Sequence, residues 1–360
     1  MNRMDEADRT RTQPGSLNAK REALWSLLFL LIAVGTVWAV SSQSKNFSLE
    51  GFLDFLQGAS MPWLVLAFFC MLLSVWSEGR AILQICKAFG HRKCALDGFV
   101  YASADVYFSA ITPSATGGQP ASAFFMMRDG IPGPVSTVAL LLNLIMYTLS
   151  IVVIGILCFL IRPAVFCMFS PLARLMILIG CAIQCGLVLL LVLLLKKEKL
   201  LHRACDAVLR FLAKLRLLRR LERKRERLRT AIDDYRRNVQ LAAGQGSMLW
   251  RSFALNLLQR VSLIAVTMCA FRAAGGAAEQ MMDAWAVQGF SILGYSFVPI
   301  PGAMGVADLM LMDGFGQMMA QESAVNLELL SRSISFYSCI LICGAAVLVK
   351  YLMLKVRKKT

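Results

Sequence analysis

The sequence lacks the residue patterns on which most metalloenzymes and nucleotide-dependent enzymes rely. Among 360 residues it has only two histidines, His91 and His202, no CxxC pair among its eleven cysteines, and no nucleotide-binding motif. Because protein metal sites are built mainly from recurring Cys and His sets, we expect no metal ion and no cofactor. Cysteines one helical turn apart, at 181/185 and 339/343, are interpreted as small packing residues.

Charge is also scarce over long stretches of the chain. Hydrophobic residues make up 58% of the sequence and the mean hydropathy is +0.62, whereas soluble chains average about 45–50% apolar residues. A helix needs about 20 apolar residues to cross a hydrocarbon core. Continuous apolar runs of that order occupy residues 24–40, 61–85, 135–161, 172–195, 248–271 and 334–354. The predicted fold is an all-α, polytopic transmembrane helical bundle, with run 24–40 as a retained signal anchor.

The positive charges predict how this bundle is oriented. The net charge is +16, and Lys and Arg concentrate in residues 1–23, 80–93, 196–237 and 350–360. Short loops rich in Lys and Arg remain in the cytoplasm. We therefore expect a multi-pass protein of the cell membrane with both termini in the cytoplasm.

Two further apolar stretches, residues 99–127 and 284–320, are interrupted near the middle by Pro and Gly. Counting crossings from a cytoplasmic N-terminus places both ends of the first stretch inside and both ends of the second outside. The two broken segments are thus predicted to enter as re-entrant hairpins in inverted orientation. Such an arrangement is typical of transporters, in which unwound backbone lines a substrate site; alternatively, Pro and Gly only shape tight hairpins.

The first broken segment, ITPSATGGQP, combines small and hydrogen-bonding residues at membrane depth. Glycines permit a close approach of the backbone, hydroxyl and amide groups bind polar ligands, and the proline suits the first turn of a half-helix over residues 121–127. A helix N-terminus favours anions such as a lipid phosphate. The candidate substrate-binding residues here are Thr112, Pro113, Ser114, Thr116, Gly117, Gly118, Gln119 and Pro120.

The second broken segment, PIPGAMGVADLML, contributes Pro301, Gly302, Gly305 and Asp308 as candidates. Pro301 starts a second half-helix, and the glycines allow close backbone approach. Asp308 either compensates the helix dipole or contacts a cationic head group or an arginine.

Ionisable residues inside apolar runs are costly unless they are paired or used. Glu78, Arg80, Asp105 and Arg260 are the remaining candidates. Glu78 and Arg80 do not share a helix face, and Arg80 is expected to extend to the inner interface. Arg260 is the best single candidate for binding an anionic ligand; the alternative is an ion pair with Asp105, Glu78 or Asp308.

The cytoplasmic segment between the membrane halves is strongly basic. Residues 196–237 carry sixteen basic and six acidic residues, no Gly and no Pro. Leucines spaced as in LRFLAKLRLLRRLERKRERL predict an amphipathic helix on anionic inner-leaflet lipid; binding of tRNA is the electrostatic alternative. The predicted domains are an N-terminal tail (1–23), a first membrane half (24–195), the basic segment (196–247), a second membrane half (248–354) and a basic tail (355–360).

The motifs SAITPSATGGQPASAFFMMRDGI and FVPIPGAMGVADLMLMDGF resemble those of the lysylphosphatidylglycerol synthase transmembrane region family, the flippase-like integral membrane proteins. SEGR at residues 77–80 is similar to another polar patch of that family. Where the family usually has PG followed by a glutamate, this chain has Asp308, one methylene shorter. The resemblance implies a membrane domain similar to a lipid flippase, which in full-length enzymes is fused to a soluble domain that transfers lysine from lysyl-tRNA to phosphatidylglycerol.

These observations lead to three functional hypotheses. The first is a flippase-like lipid translocase that binds or moves a polar phospholipid or glycolipid and has no catalytic residues. Its expected partners are membrane lipids and a separate lipid-modifying enzyme. The second is a phosphatidylglycerol lysyltransferase that supports resistance to cationic antimicrobial peptides, with tRNA as a partner and Asp308 or Glu78 as general base. Its difficulty is size, because the longest polar stretch has about 50 residues and a catalytic domain usually has about 100 or more. The third is a scaffold that recruits partners through residues 196–237.

Overall fold

The computed structural model describes residues 57–112, 116–196, 244–298 and 305–356, all within the compact unit Leu53–Thr360. Helices and turns account for the described residues, which contain no strand. Five of the helices are long and apolar enough to cross a membrane. The prediction of an all-α polytopic bundle is therefore confirmed. The expected first span (24–40) and most of the basic segment (196–247) lie outside the described residues.

The helices follow the predicted runs closely. The described elements are α1 (Met61–Ala88), α2 (Ala95–Ile111), α3 (Gly118–Arg128), α4 (Gly133–Ile161), α5 (Pro163–Met168), α6 (Pro171–Lys196), α7 (Gly246–Ala273), α8 (Met281–Tyr295), α9 (Val306–Phe315), α10 (Gln321–Arg332) and α11 (Cys339–Val356). A π-helical turn, Ser333–Ser338, connects α10 to α11. Predicted and observed ends of the five spanning helices agree within three residues except at the start of the last one, because the apolar runs themselves determine these helices.

The centre of the bundle is an antiparallel pair formed by α1 and α7. At one end the Ser60 amide donates to the Ala273 carbonyl, and at the other Gln245 donates to the Ala88 carbonyl. Helix α4 runs parallel to α7, and a buried hydrogen bond from Asn256 to Asn143 joins them. These three helices provide the frame against which the broken segments pack.

The first broken segment is a helical hairpin made of α2 and α3. Gln119 of α3 donates to Asp105 of α2, and Tyr101 donates to Asp129 just after α3. Such pairing means that the two arms run antiparallel. Lys350 of α11 contacts both Asp97 and Asp129, at 2.9 and 3.0 Å, so both ends of the hairpin lie on the same side of the bundle.

The second broken segment is also a hairpin, made of α8 and α9. Gly294 of α8 faces Met310 of α9, and Val287 faces Gly314, which again makes the arms antiparallel. Its open end is attached to the α4–α6 connection, where the Ser170 amide donates to Asp313 at 2.7 Å. A partly exposed ion pair, Arg162 with Asp283, lies at the same end.

Helix α4 shows that the two hairpins enter from opposite ends of the bundle. It begins four residues after Asp129, at the base of the first hairpin, and ends next to Arg162, at the base of the second. Its 29 residues correspond to a length of about 43 Å at 1.5 Å per residue. The predicted inverted orientation of the two broken segments is thus confirmed, whereas the predicted cytoplasmic position of the termini remains a prediction.

The last span begins earlier than the apolar run 334–354. The structure continues it as helix from Gln321, through the π-helical turn, to Val356. Residues 321–333 were expected to form part of an outer connection, yet Arg332 is buried in the bundle. The hydropathy of this stretch is low because it contributes paired polar side chains to the interior.

Candidate functional site

Arg260 lies at the middle of the bundle. It is the fifteenth residue of the 28-residue helix α7, about 20 Å from either helix end. Its side chain is 6% exposed and its guanidinium stacks on the Tyr147 ring, 3.7 Å from the ring centroid. Among the described residues it forms no ion pair and no hydrogen bond, and its Nε is buried without an acceptor. The predicted alternative, an ion pair with Asp105, Glu78 or Asp308, is therefore not formed.

Two buried carboxyl groups lie beside this arginine. Glu78 of α1 and Asp105 of α2 face each other, and the charge of Arg260 acts on Glu78. Each carboxyl group accepts a hydrogen bond from an amide side chain: Gln259 donates to Glu78 at 2.7 Å, and Gln119 donates to Asp105 at 2.6 Å. These five residues are here called the central polar site.

The central polar site lies between the two hairpins. Asp105 and Gln119 belong to the arms of the first hairpin. Tyr295, the last residue of α8 and therefore near the tip of the second hairpin, is close enough to Arg260 for their electrostatic interaction to matter. The first arms of the hairpins, α2 and α8, have only 17 and 15 residues, so the C-terminal ends of these two helices lie near the level of Arg260.

Asp308 belongs to a separate cluster around Arg332. The carboxyl of Asp308 accepts a hydrogen bond from the Gly305 amide at 2.8 Å, at the N-terminus of α9, and contacts the Arg332 guanidinium. Glu328, one turn before Arg332, also contacts it, at 3.1 Å. Of the alternatives for Asp308, the structure shows both stabilisation of the helix N-terminus and contact with an arginine.

The glycines of the first broken segment have a packing role in the hairpin. A Cβ atom at Gly118 would lie 2.0 Å from Asp105 Oδ1 and 2.1 Å from Ser109 Oγ, and one at Gly117 would lie 2.6 Å from Thr112. Thr112 closes the turn, because its hydroxyl donates to the Phe108 carbonyl and accepts from the Gly117 amide. Absence of these side chains lets α3 approach α2 closely enough for the Asp105–Gln119 contact.

Helix α3 begins at Gly118, three residues before the expected half-helix at 121–127, and Pro120 lies in its first turn as predicted. Thr116 and Pro120 are exposed at the hairpin tip. Gly305 has φ +81°, a conformation that favours glycine. Four other predicted residues, Pro113, Ser114, Pro301 and Gly302, lie outside the described residues.

Arg80 does not join the central polar site. Its side chain is half-buried and forms no ion pair or hydrogen bond within the part of the chain that the structure describes. Because Glu78 points into the bundle two residues earlier, Arg80 lies on a different face of α1. The predicted separation of the two side chains is seen.

Sequence reasoning did not select several side chains that complete these clusters: Gln259, Tyr147, Tyr295, Glu328 and Arg332. A usable signal existed for Gln259, since NLLQR places two amides and an arginine inside an otherwise apolar span. Tyr147 and Tyr295 gave no such signal, because tyrosine is common near the ends of membrane helices. Only the packing of α4 and α8 against α7 brings them to Arg260.

No curated protein matches the chain. The family model described as Lysylphosphatidylglycerol synthase TM region matches residues 24–343. That match covers most of the chain, including both hairpins and all five residues of the central polar site. With its multi-pass helical bundle, the chain belongs to the lysylphosphatidylglycerol synthase transmembrane region family.

Proposed function

We propose that the protein is an integral membrane translocase that binds a polar phospholipid or glycolipid and moves it across the membrane. Arg260 is the observation that carries this proposal. A buried guanidinium without any hydrogen-bond acceptor is unfavourable, because a desolvated cation normally requires a partner. An anionic group of a transported lipid is the partner that this position suits.

A phosphate is the anionic group best matched to Arg260. The guanidinium is planar, stays charged, and presents donors in a fork that fits two phosphate oxygens. Tyr147 covers one face of the guanidinium, which leaves its edge for an anion. Gln119, at the start of α3 in the first hairpin, donates to Asp105 within the central polar site and is suited to bind the rest of the head group.

The alternative, a phosphatidylglycerol lysyltransferase, gains no support from the geometry. Asp308, one of its two suggested general bases, is held by the Gly305 amide and by Arg332. Glu78, the other, is buried at mid-bundle, far from any surface at which a lysyl-tRNA could bind. The lipid-related family itself supports either activity at the coarse level.

Reconstitution into liposomes tests the proposal. Purified protein is incorporated into vesicles that carry fluorescent phosphatidylglycerol, and a membrane-impermeant quencher reports how fast the lipid changes leaflet. We expect wild-type protein to accelerate this exchange and Arg260→Gln to abolish the acceleration. Arg251→Gln is the matched control, because Arg251 is an exposed arginine on the same helix α7, and it should exchange lipid at the wild-type rate.

Equal exchange by wild type and Arg260→Gln would refute the role of Arg260. The same vesicles supplied with labelled lysyl-tRNA test the alternative activity, since formation of lysyl-lipid by this chain would establish a transferase.

A further inference from the structure

The protein contains two buried clusters of identical composition, each with two carboxyl groups and one arginine, but their geometry differs. In the Arg332 cluster the guanidinium directly contacts both Asp308 and Glu328. In the central polar site Glu78 and Asp105 also face each other, but Arg260 forms no ion pair with either of them. Each cluster carries a net charge of −1 when both of its carboxyl groups are ionised, but in the central polar site no direct contact with a guanidinium offsets the repulsion between the two carboxylates.

The hydrogen-bond partners of this carboxyl pair suit both of its protonation states. Gln259 donates to Glu78, Gln119 donates to Asp105, and the Ser109 hydroxyl also donates to Asp105. An amide or hydroxyl can donate to a carboxylate or, after rotation, accept from a carboxylic acid. Gln259 Oε1, buried beside Glu78, has no donor among the described residues in the present orientation and would accept a hydrogen bond from the protonated Glu78 carboxyl group after such a rotation.

The other charged or titratable groups that face the pair are few. Among the described residues, Arg260 of α7 and Cys339 and Cys343 of α11 interact with Glu78, while Asp105 has the uncharged Ser109 and Gln119 around it. With Glu78 and Asp105 both ionised, the central polar site carries a net charge of −1; with one proton bound, it is neutral. A phosphate at Arg260 would add a negative charge next to Glu78.

We propose that the Glu78–Asp105 pair is a proton-binding site whose occupancy is linked to the lipid site, so that one proton is taken up with each anionic head group. This inference rests on the proposed function. The step is non-covalent except for the proton itself, which leaves water or buffer and binds one carboxylate oxygen. Linkage is reciprocal: if a bound phosphate favours the proton, the proton favours the phosphate to the same extent. The pair thereby couples lipid movement to a proton gradient.

Calorimetry measures the proton directly. Full-length protein in phosphatidylcholine nanodiscs is titrated with short-chain phosphatidylglycerol, whose phosphodiester stays ionised throughout, in two buffers of equal pH and different ionisation enthalpy. We expect uptake of about one proton per lipid and an affinity that falls by up to about tenfold per pH unit as the pH rises. Glu78→Gln and Asp105→Asn, which mimic the protonated pair, should bind lipid with little proton uptake and little pH dependence.

Glu328→Gln is the matched control, because it removes a buried carboxyl group from the Arg332 cluster and should leave proton uptake at the wild-type value. Wild-type binding without proton uptake would overturn the inference and leave the proposed function intact. Undiminished uptake in both Glu78→Gln and Asp105→Asn would overturn the assignment to this pair. Absence of lipid binding between pH 5.5 and 8 would overturn both proposals.

Discussion

The two buried arginines should differ in what their removal does to stability. We consider Arg332→Gln and Arg260→Gln, which delete the same charge and retain a polar side chain. Arg332 contacts Asp308 and Glu328, whose side chains are 31% and 6% exposed. Breaking a buried ion pair costs about 3–5 kcal/mol. Because Asp308 is partly exposed, we expect Arg332→Gln to lower the free energy of unfolding by about 3 kcal/mol, the lower end of this range.

For Arg260→Gln, the contributions to the free energy of unfolding have opposite signs. The stacking of Arg260 on Tyr147 contributes up to about 2 kcal/mol at a desolvated site. Removing a buried cation that has no direct ion pair relieves a desolvation cost of several kcal/mol, although it also removes the attraction between Arg260 and Glu78. No ion pair and no hydrogen bond to a described residue is lost. We therefore expect the free energy of unfolding of Arg260→Gln to lie within about 1 kcal/mol of the wild-type value.

Equilibrium unfolding with SDS in mixed micelles, followed by tryptophan fluorescence, measures both values. A difference of about 3 kcal/mol is a ratio of about 150 in the unfolding equilibrium constant. If the two variants are destabilised equally, Arg260 is a structural charge and the assignment of an anion site to it is wrong. If neither is destabilised, the Arg332 cluster contributes less than its geometry indicates.

Two further predictions concern packing and the base of the first hairpin. Gly180→Ala should destabilise the bundle by about 1–3 kcal/mol, because the new Cβ would lie 1.8 Å from the Leu293 carbonyl oxygen. A Cβ at Gly186, on the same helix, would meet no atom within 4 Å, so Gly186→Ala should be neutral or stabilising. SDS unfolding compares the two variants, and equal stability would contradict the close approach of α6 to α8. Asp97, in the first turn of α2 and outside the five spans, is partly buried, which opposes its ionisation, but hydrogen bonds from Lys350 and Cys94 outweigh this effect and hold the pKa of Asp97 below its usual range. Its contribution to stability is therefore present above the unfolded pKa of about 3.9 and is lost as the pH falls through the lower folded value. Protection of the amides at the start of α2 from hydrogen exchange, relative to unstructured peptide at the same pH, should therefore fall on acidification in wild type and should be low and less pH-dependent in Lys350→Met. An unchanged pH profile of protection in that variant would contradict the prediction.

The sequence was sufficient to predict both hairpins, because hairpins depend on local features of the chain. The surroundings of the predicted binding residues depend on tertiary packing. Pro and Gly near the middle of an apolar run interrupt a helix locally, and the charge bias determines from which side each run enters. Gly118 shows the limit of such reasoning. The sequence predicts that it lets a ligand approach the backbone, and the structure shows that its missing side chain makes room for Asp105 and Ser109; its role in ligand binding stays a prediction.

Hydropathy and charge are sums over neighbouring residues, so the sequence alone determined the spans, their breaks and their inverted entry. Which charges meet is decided by packing between distant parts of the chain: Gln259 reaches Glu78 across 181 residues, and Lys350 reaches Asp97 across 253. The sequence distinguishes Arg260, inside an apolar run, from Arg332, which precedes one, but it does not show which of the two contacts carboxyl groups. Only the tertiary structure shows that Arg260 forms no ion pair with a described residue whereas Arg332 contacts Asp308 and Glu328, because a side chain's surroundings depend on every helix that packs against it.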